Sequence, residues 1–318
     1  MSADKVAERH QESVPQDMGA PPLRRRRICF VVDDFGLHDG VNAAALTLVS
    51  MARVHAVGCM VGAPKWAAWH GQARALPPAE VDVGLHLDLT EFPLLKTLRQ
   101  PLAHWILASY ARRLDRRPLR LEIRAQLDAF ESAMDRPPAY VDGHQHVHQL
   151  PGVRDELMEE MAARYGTQGT RLPWLRATKG AGGVNPAAHG GWSGWVKSHV
   201  ISALGASGLA VAARRQGIAQ NRALLGVYGF DADRGGYLAL LSAALRDGAD
   251  AALVMCHPSL HPAGPDGIET ARLVEFDVLH SSAFGQVLRD GGFDLQPMSR
   301  ILASLPQRVV GGAPKLSR

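Results

Sequence analysis

Short apolar runs rich in Val, Ile, Leu and Ala alternate along the chain with longer stretches in which apolar residues recur every three or four positions. The short runs predict buried strands, and the longer stretches predict amphipathic helices. The first predicted strand covers 28–34, and a short run at 293–297 ends the pattern. The strands between them are predicted at 56–63, 81–89, 139–144, 169–174, 222–228 and 250–259.

Regular alternation of strands and helices predicts a parallel sheet, because the helices provide the crossovers between strands that run the same way. Seven or eight such units in about 280 residues fit a (β/α) barrel of the TIM type better than an open sheet. We therefore expect an α/β fold with one catalytic domain at 28–306. Residues 1–27 are expected to form a disordered extension, and 307–318 a flexible C-terminal tail.

Charge is concentrated at the ends of the chain. The formal net charge is +4, yet 1–27 carries +2 and 307–318 carries +3, so 28–306 carries −1. A nearly neutral domain argues against a nucleic-acid partner. No apolar run is long enough to span a membrane, and three widely spaced cysteines indicate reduced thiols. These features predict a cytoplasmic protein.

Polar residues interrupt the apolar pattern near the carboxyl ends of the predicted strands. Asp33 and Asp34 end the first strand, His86 lies near the end of the third, and His144 ends the fourth; Arg171 lies on the fifth strand and His257 ends the seventh. In barrels and in open α/β sheets, this end of the strands forms the active site. The convergence of these residues predicts a catalytic centre there.

Asp34, His86 and His144 form a candidate metal site. One carboxylate and two neutral imidazoles hold a divalent ion and leave positions open for water and substrate. Asp33 is then available to take a proton from water, provided that the chain bends between the two aspartates. Gly36 would permit such a bend.

Two histidine patterns leave alternatives open. In a strand, His144, His146 and His148 share one face and could converge on one ion, or only the first could reach the site. Cys256 and His257 could form a nucleophilic pair, but adjacent strand residues face opposite ways, which favours a buried, unreactive cysteine.

At these residues the chain resembles the ChbG/HpnK family of carbohydrate deacetylases, also called YdjC-like. The matching segments occur in the family's order, and they are VVDDFGLHDGVN (31–42), VGLHLDLT (83–90), YVDGHQHVHQLP (140–151), TRLP (170–173), MCHP (255–258) and, more weakly, ARLVEFDVLHSSAF (271–284). The resemblance implies an irregular βα barrel that removes N-acetyl groups from amino sugars with a divalent ion, usually Mg²⁺.

Residue by residue, the resemblance implies that Asp34, His86 and His144 bind the metal and that Asp33 is the base. It places Arg171 and His257 in the pocket, and we expect His257 to protonate the leaving amine. His144 would then be the histidine of the run that binds the ion.

The chain departs from the family pattern at GLHLDLTEFP, where Asp88 appears and a glycine is missing, and in a glycine-rich loop at 179–195. We expect both departures to affect substrate recognition rather than the metal. Trp192 and Trp195 in this loop, with Trp174 at its entrance, suit the ring face of a sugar and predict a lid over the substrate. The alternative is a disordered connection whose tryptophans pack on a neighbouring helix or subunit.

Alternatives remain for the chemistry and the assembly. The same ligand set occurs in non-haem Fe(II) oxygenases, although those sites usually place two ligands within three residues. A sugar-binding protein without catalysis is a second alternative. Zn²⁺ or another transition metal could replace Mg²⁺, and a homodimer is a hypothesis for the assembly.

Overall fold

The apolar runs form eight strands in the computed structural model, which describes residues 25–166, 172–180, 202–262 and 267–306. The strands are β1 (Arg26–Phe35), β2 (Ala56–Cys59), β3 (Asp82–Leu87), β4 (Tyr140–Gly143), β5 (Trp174–Leu175), β6 (Ala223–Leu225), β7 (Ala252–Cys256) and β8 (Phe293–Leu295). Each lies within or beside a predicted strand. The first begins at Arg26, two residues before the predicted start of the domain.

Helices connect most successive strands, as the alternation predicts. They are α1 (Asp39–Ser50), α2 (Trp66–Arg74), α3 (Leu102–Tyr110), α4 (Arg116–Met134), α5 (Val153–Tyr165), α6 (Ala206–Arg215), α7 (Arg234–Asp247), α8 (Glu269–His280), α9 (Ser282–Asp290) and α10 (Met298–Ala303). Among the described residues, no helix is both long and apolar enough to cross a bilayer.

All strand pairs are parallel, in the order β5-β4-β3-β2-β1-β7-β6. The last strand, β8, pairs with the first residues of β1. An isolated parallel bridge between Gly180 and Leu224 joins the segment after β5 to β6, so the curled sheet approaches closure. The predicted α/β fold of the TIM-barrel type is therefore confirmed, with the irregularity that the family resemblance implies.

Residues of β1 alternate between two separate hydrophobic cores. On β1, Ile28, Phe30 and Val32 pack in the large core beneath the helices, whereas Cys29 and Val31 face a smaller core inside the sheet. Because side chains alternate along a strand, every second residue points into the barrel. Burial of each large apolar side chain, in either core, contributes about 1.5–3 kcal/mol to the stability of the fold.

The same alternation separates Cys256 from its neighbour His257. Cys256 is fully buried in the large core, where burial raises the pKa of its thiol well above the usual value. Its Sγ lies 3.2 Å from the carbonyl oxygen of Val31. Cys256 is thus a buried packing residue, and the alternative of a Cys-His nucleophile fails.

Stacked aromatic rings close the inside of the barrel below the polar strand ends. The rings of Tyr140 and Trp174 stack with centroids 4.3 Å apart, and Trp174 Nε1 donates a hydrogen bond to Asp82. A methyl group on Gly84 would lie 2.4 Å from the ring carbons of Tyr140. Only glycine on β3 leaves room for this ring.

We therefore expect Gly84→Ala to destabilise the protein by about 1–3 kcal/mol, since overpacking forces the stacked rings to move. Gly71→Ala is the matched control. Gly71 lies in α2 with nothing within 4 Å of the added methyl group, so its replacement should be neutral or stabilising. Urea denaturation of the two variants measures the difference; equal stability would contradict the packing argument.

Candidate active site

Five side chains at the carboxyl ends of the strands occupy inward-facing positions of the alternation. They are Asp33, His86, Asp142, Arg176 and His257. The first four are almost completely buried, and the side chain of His257 is 14% exposed. The alternation of strand side chains thus builds most of this site, as the convergence of polar residues predicts.

Asp34 reaches the same site because the backbone turns at the end of β1. Its φ of +66° is left-handed, a conformation that costs a residue other than glycine about 1–2 kcal/mol. Gly36 follows with φ +104°, and its N–H donates to the side chain of Asn42. The predicted bend is present, and it already begins at Asp34.

The three predicted metal ligands lie together. Asp34 Oδ1 is 3.0 Å from His144 Nδ1 and 3.5 Å from His86 Nε2, and the ligand atoms of all three residues lie within 4.8 Å of one another. One carboxylate oxygen and two imidazole nitrogens at these distances can hold one divalent ion. The chemistry of this donor set therefore fits a bound metal.

Each imidazole uses its other nitrogen to contact a second carboxylate. His86 Nδ1 lies 2.6 Å from Asp142 Oδ1, and His144 Nε2 lies 3.0 Å from Glu91 Oε1. Carboxylates behind histidine ligands fix the tautomer, because the N–H donates to the carboxylate and the opposite nitrogen is left free for the ion. This arrangement strengthens the interpretation as a metal site.

Glu91 is held in place by the unusual Asp88. The Asp88 carboxylate accepts hydrogen bonds from the backbone N–H groups of Thr90, Glu91 and Phe92. The resulting tight turn presents Glu91 to His144. The expectation that the Asp88 departure affects only substrate recognition is therefore incomplete, since this turn also supports a residue beside the candidate metal site.

Only the first histidine of the 144–148 run reaches the candidate ligand set. The segment forms a short 3₁₀ helix (His144–Gln149) in which Gln145 and His146 have left-handed φ values, so the strand geometry considered from sequence is wrong. His148 Nε2 donates to the carbonyl oxygen of Arg176, and burial lowers the pKa of His148 to about 4. His148 therefore acts as a neutral support for the segment after β5.

Arg176 fixes the carboxylate of Asp33. Its Nη1 and Nη2 donate to the two oxygens of Asp33 at 2.7 and 2.6 Å, and Nη2 also lies 2.6 Å from Asp142 Oδ2. Burial opposes ionisation of Asp33, but the guanidinium of Arg176 outweighs it and keeps the pKa of Asp33 well below its usual value. Asp33 is therefore anionic and rigidly oriented.

His257 lies beside Asp33. It is on the side away from Asp142 and Glu91, the two carboxylates that contact the candidate metal ligands. Its Nε2 is 3.8 Å from Asp33 Oδ2, and its Nδ1 lies 4.0 Å from Glu275 Oε1. Burial lowers the pKa of His257 to about 4 and raises that of Glu275 to about 7. Glu275 also accepts hydrogen bonds from the His257 backbone N–H and from the Tyr228 hydroxyl, so it anchors the end of β7.

Comparison with known proteins places this arrangement in a family. Residues 27–290 match the family described as YdjC-like protein. The chain belongs to the YdjC-like family. A human carbohydrate deacetylase is 30% identical over 169 residues, which cover 49% of this chain and 51% of the human protein. A chitooligosaccharide deacetylase of Yersinia enterocolitica is 26% identical over 278 residues, which cover 83% and 94% of the two chains.

The alignment with the human relative thus spans about half of that protein's length. Among solved structures, an Enterococcus faecalis V583 protein provisionally named as a cellobiose-phosphate cleavage protein superposes with a TM-score of 0.61 at 16% identity. The superposition covers 87% of this chain and 99% of that one. At this identity the likeness supports the fold of the YdjC-like chain alone.

Several residues of this YdjC-like site were not predicted from the sequence. Arg176 was missed because strand five was predicted at 169–174, whereas β5 is Trp174–Leu175. With β5 at Trp174–Leu175, Arg176 lies two residues after the inward-facing Trp174 and therefore also faces inward. Asp142 has the same relation to Tyr140 on β4. The predicted substrate-binding residues Arg171, Trp192 and Trp195 lie outside the described residues.

The electrostatics of the imidazoles predict that metal binding releases protons. Burial lowers the pKa of His86, but Asp142 and Asp33 outweigh it and raise this pKa to about 10; Asp34 and Glu91 likewise raise the pKa of His144 well above its usual value. Both rings are therefore protonated at pH 7 without metal and must lose protons to bind it. We expect metal affinity to rise with pH up to about 10.

Titration calorimetry in buffers of different ionisation enthalpy measures these protons, and heats that do not depend on the buffer would refute the prediction. Asp142→Asn is the matched variant, because it removes the nearest carboxylate that raises the pKa of His86. It should release fewer protons and weaken metal binding by about 10–100-fold.

Proposed function

We propose that this protein is a metal-dependent hydrolase that removes N-acetyl groups from acetylated amino sugars, of the chitooligosaccharide type or a related glycoconjugate. The observation that carries the proposal is the position of the Asp34–His86–His144 donor set beside an anionic Asp33 and a neutral His257. Relatives named carbohydrate and chitooligosaccharide deacetylases support the substrate class.

The proposed ion is divalent and is held by Asp34, His86 and His144. When bound, it supplies Lewis acidity that polarises the acetyl carbonyl and makes water a better nucleophile. The family resemblance favours Mg²⁺, whereas two imidazole ligands favour Zn²⁺ or another transition metal. Mg²⁺ is the proposed ion, and Zn²⁺ or another transition metal is the alternative.

Asp33 is the proposed general base. A low pKa makes a carboxylate a weaker base, but it also guarantees that the carboxylate is unprotonated over the whole working pH range. The two hydrogen bonds from Arg176 hold both oxygens in place, so Asp33 keeps a fixed orientation toward the attacking water. In this assignment, orientation compensates for modest basicity.

His257 is the proposed general acid. Hydrolysis of the amide moves a proton from water to the nitrogen of the leaving amine, and His257 Nε2 lies 3.8 Å from Asp33 Oδ2. A ring that is neutral at pH 7 can accept the proton collected by Asp33 and pass it to the amine. Its pKa of about 4 makes the protonated ring a strong acid for this step.

The remaining assignments complete the proposal. The predicted substrate contacts remain Arg171, Trp192 and Trp195. The proposed single catalytic domain remains 28–306. The proposed location is the cytoplasm, and a homodimer stays a hypothesis. An oxygenase would need O₂ for turnover, and a sugar-binding protein would release no acetate, so one assay distinguishes both alternatives from a deacetylase.

Acetate release from N-acetylglucosamine oligomers tests the function. The protein is stripped with a chelator and reloaded separately with Mg²⁺, Zn²⁺, Mn²⁺ or Co²⁺. We expect activity to vanish on stripping, to return with the native ion, and to be abolished in His86→Asn together with metal binding. His104→Asn, on the exposed surface of α3, is the control and should match the wild type. Undiminished turnover after complete chelation would overturn the mechanism.

His257→Gln separates proton transfer from metal binding. The substitution removes the proposed acid without touching Asp34, His86 or His144, so we expect kcat to fall by about 10²–10⁴-fold while metal affinity stays unchanged. The fall in kcat should be smaller for substrates whose leaving amine is more acidic, because their amine needs less assistance from a general acid. Equal losses for all leaving groups would show that His257 has another role.

A further inference from the structure

A second cluster of charged residues lies at the opposite end of the barrel from the candidate metal site. Arg53 follows α1 and precedes β2, Arg25 directly precedes β1, and Gly292 precedes β8. Because each segment leads into the start of a strand, all three lie at the amino ends of the sheet. Together with residues of α9 they line a pocket of about 360 Å³.

Two guanidinium groups meet over one glycine in this pocket. A methyl group on Gly285 of α9 would lie 2.4 Å from Arg53 Nη2 and 3.3 Å from Arg289 Nη1. Both cations therefore approach the same point, and they repel each other. Burial lowers the pKa of Arg53, and the repulsion from Arg289 lowers it further.

No carboxylate in the described part of the chain offsets this repulsion. The ion pairs found there include neither Arg25, Arg53 nor Arg289. The Nε of Arg53 is buried and has no hydrogen-bond partner there. Asp290 is the nearest acid in sequence, and its carboxylate accepts a hydrogen bond from Gln286, whose Oε1 accepts one from Arg289 Nη2; Arg289 thus has a neutral partner and no carboxylate partner.

The guanidinium of Arg53 is nevertheless held in position, because it packs 5.8 Å from the ring centroid of Phe284. Arg53 is partly buried and Arg289 is exposed, and an anion that contacts both would offset their mutual repulsion. Guanidinium groups bind phosphoryl oxygens through paired hydrogen bonds, and an anion lying near Gly285 can contact both arginines. Gly285 lets the two guanidinium groups come close together, and the position a Cβ would take on Gly292 has no atom within 4 Å, which leaves space for an anion beside them.

We propose that Arg53 and Arg289 form an anion site for the phosphoryl group of a small phosphorylated molecule, on the face of the barrel opposite the candidate metal site. Arg25 extends the positive charge along the pocket. The site is independent of the deacetylase assignment, because none of its residues contacts the candidate metal ligands or Asp33.

Isothermal titration of the metal-loaded full chain with inorganic phosphate, at constant ionic strength, tests the proposal. We expect saturable binding that weakens at least tenfold in Arg53→Gln and in Arg289→Gln. Arg113→Gln is the matched control, since Arg113 is exposed on a distant loop after α3, and it should bind as the wild type does.

Gly285→Ala supplies a variant that keeps every charge. Its methyl group would displace the Arg53 guanidinium, so phosphate binding should weaken while the protein stays folded, as thermal melting verifies. Wild-type affinity in the Arg53 and Arg289 variants, or no binding at millimolar phosphate, would overturn the proposal. If the wild type binds phosphatidate vesicles and Arg53→Gln does not, the ligand is a lipid headgroup. That result would overturn the proposal of a small, free phosphorylated ligand.

Discussion

The fully buried guanidinium of Arg176 is the interaction on which the site depends. It pairs with Asp33 and Asp142, two buried carboxylates whose charges it compensates. Removing one partner of a buried ion pair typically costs about 3–5 kcal/mol, because the other charge stays buried and unpaired. Asp142 in turn orients His86, so one side chain positions both the proposed base and a candidate metal ligand.

A second guanidinium balances the remaining carboxylate. Arg272 donates to Asp34 Oδ2 at 2.7 Å, which leaves Oδ1 directed toward the two imidazoles. The three inward carboxylates thus face two fixed cations, and a divalent ion more than offsets the remaining negative charge. This balance explains how so many ionised groups are buried at one end of a small barrel.

The sequence predicted the parts of the site that depend on local periodicity. Period-two alternation and the rule that sites form at the carboxyl ends of strands were enough to select Asp33, His86 and His257. Arg176 was missed because an error of a few residues in a short strand changes which side chain faces inward. Glu91, Arg272 and Glu275 lie on a loop and a helix, where contacts with the site depend on three-dimensional packing and not on strand alternation. The segment 271–284, which weakly matches the family, contains Arg272 and Glu275 but does not show that they reach the site. The strand geometry considered for 144–148 is wrong for a related reason, because two left-handed residues in this segment break the alternation of strand side chains.

The stacked Tyr140 and Trp174 rings also determine how molecules enter and leave the barrel. These rings, together with Met298 and Ile301 of α10, are buried and fill the barrel below the polar strand ends. Within the described residues the polar site is therefore closed from below, and its mouth is at the carboxyl ends of the strands. In the proposed hydrolysis, water, the acetylated sugar and both products would share that mouth. A long saccharide lying across it would stand between the released acetate and the solvent, so the proposed reaction would release the saccharide first.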